Sequence, residues 1–136
     1  MNIPYSIWQE WLQKEWVKQM RGIVLLNPNY TIGELHMSES FTIQKIVTDK
    51  YMDEKNISPV ILNPYQLHLY YTIPHELLLH LQKKETVQID CLVLHSMETL
   101  ERFIYIYPEK WLGLCGYFKE IISVSAQTPT KHYEVN

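Results

Sequence analysis

Apolar and polar positions divide the chain into short runs. Residues 6–21, SIWQEWLQKEWVKQMR, contain no Gly or Pro and predict a helix. Ser6 and Gln9 form a weak capping box before it, and Gly22 stands just after it. Its pattern is split. Ile7, Trp8, Trp11 and Leu12 form one stripe, whereas Trp16, Val17 and Met20 lie roughly 150° further round a regular helix. Either the helix is covered on two sides, by its own sheet and by a partner, or it bends near Lys14–Glu15.

Gly22–Leu26 reads as a strand buried on both faces, closed by the turn Asn27-Pro28-Asn29. Residues 41–47 alternate imperfectly and predict a strand. Residues 49–56, DKYMDEKN, predict a polar linker or a short helical turn, without the spacing of a calcium loop. Val60–Leu62 is a further short strand ending in Asn63-Pro64.

The stretch Tyr65 to Trp111 holds the longest apolar runs. In residues 66–73, Leu67, Leu69, Tyr71 and Ile73 alternate with Gln66, His68, Tyr70 and Thr72, which predicts a strand with an aliphatic inner face. Pro74 then opens a short helix at its first position, with Leu77, Leu78 and Leu81 inward. Thr86–Leu94 and Arg102–Tyr107 predict two strands of a hairpin joined through Ser96–Thr99, and Pro108 ends the second. Gly113 and Gly116 allow a tight turn or a close backbone approach, and residues 119–125 predict a last strand. The fold class expected is therefore α+β: one domain over 1–125, its mostly antiparallel sheet packed against the N-terminal helix and one short central helix. Residues 126–136 are expected to be a flexible tail.

Composition narrows the function classes. The 136 residues suit one domain with an ordinary core. A formal charge of −3 gives no general attraction to phosphate backbones, so a nucleic-acid partner through Lys14, Lys18 and Arg21 is disfavoured. No signal-peptide pattern and no spanning apolar run is visible, and two cysteines imply no disulfide framework; a cytoplasmic location follows as the default. Peripheral membrane contact is disfavoured because Glu10 and Glu15 dilute the charge of the first helix.

Chemistry is hard to assemble from spacing. His68, Asp90, Cys91 and His95 form an alternative polar site, for a small ligand or for hydrolysis, if neighbouring strands bring them together. Cys91 and His95 share a strand face but lie roughly 13 Å apart along it. Asp90 is the least expected polar residue in its run. No metal-ligand spacing, no glycine-rich nucleotide loop and no cofactor motif is present. The leading expectation is thus a non-catalytic interaction protein with a protein partner or a second copy of itself. Trp8, Trp11, Trp16, Tyr105 and Tyr107 are its expected interface residues.

Overall fold

A computed structural model describes residues 19–84 and 88–127. Its centre is β1 (Met20–Leu25), with Ile23, Val24 and Leu25 all buried. Alternate residues of β1 enter different cores, Ile23 and Leu25 on one face and Val24 on the other. A strand apolar in both directions needs a layer on each side, which is the signature of a parallel sheet.

The remaining elements supply those layers. After β1 come α1 (Met37–Glu54), β2 (Ile57–Pro59), β3 (Tyr70–Tyr71), α2 (Pro74–Lys83) and β4 (Ile89–Leu94). A 3₁₀ turn (Met97–Leu100) then leads into α3 (Glu101–Ile106), α4 (Pro108–Cys115), β5 (Phe118–Ser123) and the single turn α5 (Val124–Gln127). The sheet order is β2-β1-β4-β5, and β3 joins β1 as well. Val24 pairs with both Tyr70 and Val93, so β3 lies on the β2 side of β1, opposite β4. Every pairing is parallel.

The expectation of a mostly antiparallel sheet is therefore wrong. The 94–102 connection does not close a hairpin: residues 101–106 are helical, and the chain crosses over through α3 and α4 before pairing β5 with β4. Parallel strands require such a crossover, which places helices on the sheet faces. The chain moves one way from β1 to β2 and the other way to β4 and β5. Right-handed crossovers in opposite directions put their helices on opposite faces. Accordingly Met52, Phe41, Val47 and Tyr51 of α1 pack with Val24, Leu26 and Val93, while Leu77, Leu81, Phe103 and Leu114 of α2 to α4 pack with Ile23, Leu25, Leu92 and Leu94.

Other local expectations are also revised. Residues 41–47 form a helix rather than a strand, and it runs on through most of 49–56, where a helical turn was one of the two expectations, as one helix, α1. Its inward row is Ser40, Gln44, Thr48 and Met52, four residues apart, so the buried stripe is largely polar. Asn56, with φ 54°, ends it in the left-handed region that Asn tolerates. Only Tyr70 and Tyr71 of 66–73 are strand, and Leu67 and Leu69 are exposed instead of inward. Residues 112–115 continue α4, and the turn follows at Gly116–Tyr117. The helix at Pro74 stands as expected, with Leu77, Leu78 and Leu81 buried. Of the predicted first helix, Met20 and Arg21 belong to β1, and residues 6–18 lie outside the described residues. Of the predicted tail, Ala126 lies in α5 and residues 128–136 lie outside them.

Candidate functional site

In a sheet whose order reverses, the loops after the two central strands leave toward opposite faces. They open a crevice at the carboxyl ends of those strands, the usual ligand position in such folds. Here the strands are β1 and β4, and the loops begin at Leu26 and His95. Asn27 stands at the middle of the crevice. Its N–H donates to Gln44 Oε1 (3.0 Å), and Gln44 Nε2 donates back to the Asn27 carbonyl (2.8 Å). One fully buried amide thus satisfies both backbone groups of the residue that leaves β1. The Asn27 side chain accepts from the Asn29 N–H (2.9 Å), an Asx turn, and donates to the Thr99 carbonyl (2.9 Å). The Tyr30 hydroxyl donates to Glu98 Oε2 (3.2 Å). The two loops are therefore joined across the crevice, by Asn27 to Thr99 and Tyr30 to Glu98.

His95 and Ser96 follow β4. The Ser96 carbonyl accepts from the Thr99 N–H (3.1 Å) and hydroxyl (2.7 Å), which starts the 3₁₀ turn. The Ser125 N–H donates to the His95 carbonyl (2.9 Å). His95 Nδ1 and Ser96 Oγ are buried without a hydrogen-bond partner. Burial pushes the His95 imidazole below its ordinary pKa, and the charge of Glu98 opposes that shift. The unfolded chain therefore takes up the His95 proton more readily than the folded one. Stability from this residue is present above the unfolded value, near 6.5, and is lost as pH falls from there through the lower folded value. Urea midpoints measured from pH 7.5 to 5 should fall for the native chain, and less steeply for His95→Gln; parallel curves would remove His95 as the cause.

On the other side of Asn27 lies a cavity of about 330 Å³, bordered by Leu26, Thr72, Thr99, Arg102, Phe103 and Tyr107. The Tyr107 ring meets the His75 ring edge-on, with centroids 4.6 Å apart. His75 in turn lines a groove of about 540 Å³ between α2 and α4, with Leu78, Leu79, Gly113 and Tyr117. Cavity and groove thus adjoin along one face of the molecule.

The residues of the alternative polar site do not converge. His68 lies before β3, stacked on Tyr70 (4.8 Å), with β1 between that strand and β4. Asp90 and Cys91 begin β4, whereas His95 follows its other end. Asp90 has a structural role: its Oδ2 accepts the Arg21 N–H (2.7 Å), and Lys119 Nζ lies 3.3 Å from its Oδ1. Cys91 Sγ faces the Arg21 carbonyl (3.9 Å). Burial, then Glu120 and Asp90, pushes its thiol up to about 12, so it is no nucleophile at neutral pH. In the folded chain an aromatic disulfide reagent is expected to leave Cys91 unmodified and to reach it only in denaturant; rapid native labelling of Cys91, read by peptide mass, would contradict this.

Of the expected interface residues, Tyr105 is 86% exposed and Tyr107 flanks the cavity; Trp8, Trp11 and Trp16 lie outside the described residues. Asn27, Gln44, Ser96, Thr99 and Arg102 were not singled out by sequence. The signal for Asn27 was present, because a run buried on both faces marks a parallel strand, whose carboxyl end is the place to look. Among the described residues no group of three or more His, Cys, Asp or Glu is placed to hold a metal ion, and no helix is long and apolar enough to cross a membrane. No family model, curated protein or solved structure matches the chain.

Proposed function

We propose that the chain is a non-catalytic protein-interaction module that docks a partner polypeptide along the groove between α2 and the α3–α4 pair. The observation that carries this reading is the groove and the neighbouring cavity, both partly walled by apolar side chains, with Gln82, Glu109 and Lys110 also on the groove and Arg102 on the cavity. Exposed Leu79, Ile73, Ile106 and Tyr107 line or flank them. Large apolar side chains left in water along a concave surface are a common mark of a binding face. The crevice between β1 and β4 supports the same reading. Asn27, Gln44 and Thr99 commit their polar groups to each other there, rather than leaving them for a reacting substrate. A cytoplasmic setting belongs to the proposal, since Cys91 and Cys115 are free thiols.

Gly113 gives a clean test. A Cβ built there meets nothing within 4 Å, and the residue lines the groove from inside a helix. Gly113→Ala should therefore stabilise the fold by about 0.5–1 kcal/mol in urea unfolding, through helix propensity alone. Gly113→Phe should fold as well but obstruct the groove. Peptides selected from a random display library on the native chain should be apolar-rich and lose binding to Gly113→Phe. Equal binding to both proteins would place the interaction elsewhere.

A further inference from the structure

Among the described residues two buried side-chain polar atoms have no hydrogen-bond partner, and they stand on successive residues where the chain leaves β4: His95 Nδ1 and Ser96 Oγ. Buried polar groups are normally paired, so an unmet one points to a second arrangement of the same groups. A neutral imidazole bears this at the cost of one hydrogen bond. A protonated imidazole bears it far less well, because Nδ1 then carries an N–H and part of a charge with nothing to receive them. The groups around His95 include one acceptor for that charge. The Tyr30 ring faces it, with centroids 6.4 Å apart and planes tilted by 47°. The Tyr30 hydroxyl donates to Glu98 Oε2 (3.2 Å). Glu98 stands exposed on the 3₁₀ turn, and its charge acts on the imidazole. The other elements bring no charge to the place. The turn α5, whose Ser125 N–H meets the His95 carbonyl, is Val124-Ser125-Ala126-Gln127, and the strand ends alongside carry Asn27 and Ser123. Glu34 and His36 of the Tyr30 loop come only after its turn at Gly33, with φ 57°.

We infer that His95, Glu98 and Tyr30 form a proton-operated latch on the loop after β1. With His95 neutral, Glu98 holds the Tyr30 hydroxyl and residues 28–32 are shut over the end of β4. With His95 protonated, the imidazolium turns to Glu98, the charge-assisted pair displaces the neutral hydroxyl, and the segment lifts. The hinge is Asn27, which keeps its bonds to the Gln44 amide and the Thr99 carbonyl, groups that do not titrate. The bonds that opening exposes are the Tyr30 N–H to the Asn27 carbonyl (3.2 Å) and the Ile32 N–H to Ser40 Oγ (2.8 Å). The sign follows from linkage. Burial opposes the charged imidazole in the shut form, so the open form takes the proton more readily and gains population as pH falls from near 6.5. Asn27 and Asn29 also border the cavity of about 330 Å³, so the latch moves part of its rim. The latch itself stands independently of the docking reading.

Amide hydrogen exchange tests the latch, read residue by residue by NMR on the full chain from pH 7.5 to 5 and corrected for the intrinsic effect of pH. The Tyr30 and Ile32 amides should lose protection as pH falls below about 6.5, by up to about tenfold per pH unit, the limit for one proton. The Asn27 amide, bonded to Gln44, and the Leu92 amide in β4 should stay protected over the same range. His95→Gln should abolish the response. Glu98→Gln changes an exposed side chain and so decides the matter even where the first variant fails to fold. It should move the response to lower pH, because the imidazolium loses the carboxylate that favours it. Loss of protection at all four amides together would show the proton unfolding the whole chain, and overturns the latch. So does a flat response at Tyr30 and Ile32, a response that survives in folded His95→Gln, or one that Glu98→Gln leaves in place.

Discussion

Gln44→Leu is expected to lower the unfolding free energy by about 3–5 kcal/mol, since two backbone groups lose their partner at roughly 1–3 kcal/mol each and a polar pocket receives an apolar side chain. The affected groups are the N–H and carbonyl of Asn27, both bonded to the Gln44 amide. Gln44 is fully buried, so water does not readily replace the lost partner. The change would consume a large part of the about 5–15 kcal/mol that holds a domain of this size. Ile46, on the same helix, is 60% exposed. Ile46→Ala should therefore cost much less than Gln44→Leu, although it removes the more hydrophobic residue. Urea unfolding of the two variants decides the matter. A loss below about 1 kcal/mol for Gln44→Leu would mean that the Asn27 loop is held by something other than this amide.

Gly22→Ala is expected to destabilise by about 1–3 kcal/mol, as overpacking does in a well-filled interior. Gly22 is the point where β1 pairs with both neighbours, with Pro59 on one side and Cys91 on the other. A Cβ there falls 2.8 Å from Cys91 Sγ and 2.9 Å from Ile57 Cγ2, closer than carbon atoms pack. Neither neighbour is free to move, because Cys91 is fully buried and Ile57 nearly so. Cys91→Ala removes the nearer clash and should recover part of the loss in the double variant, leaving the Ile57 contact. A double-mutant cycle reads this as a favourable coupling of about 0.5 kcal/mol or more. Strict additivity would show that the strand shifts to accept the methyl group.

The two positions differ in how far the sequence announces them. Gly22 was read as the residue after a helix and the first of a strand buried on both faces, but nothing local shows that Cys91 and Ile57 crowd its Cα. Gln44 was read as part of an imperfectly alternating strand whose inward face was not fixed. The run FTIQKIV alternates only imperfectly, and its helical stripe is concealed because the inward row of α1 is Ser40, Gln44 and Thr48. Hydrophobic periodicity detects a helix only when its buried face is apolar. Ser40 faces inward because its Oγ accepts the Ile32 N–H (2.8 Å), and Gln44 because it binds Asn27. Both partners are remote in sequence, beyond the reach of a local pattern. Residues 102–107 mislead similarly. Phe103, Tyr105 and Tyr107 alternate, yet only Phe103 is buried, and the segment is a one-sided surface helix followed by Tyr107.

What the sequence determined by itself was what nearest neighbours can enforce. The doubly apolar β1, the Asn27-Pro28-Asn29 exit, the Pro74 helix with its leucine stripe and the β4 strand were all readable, because proline geometry, turn chemistry and dense apolar runs act locally. Tertiary structure decided the parallel pairing, since strand direction depends on whether the connection doubles back or crosses over. It also decided the placement of the polar residues. Asp90 caps the Arg21 amide, Gln44 seals the turn after β1, and His68 lies before β3 while Cys91 and His95 stand near opposite ends of β4. The groove and the Arg102 cavity exist only where α2, α3 and α4 meet over the sheet, because a concave surface is a property of packed elements and not of any one segment.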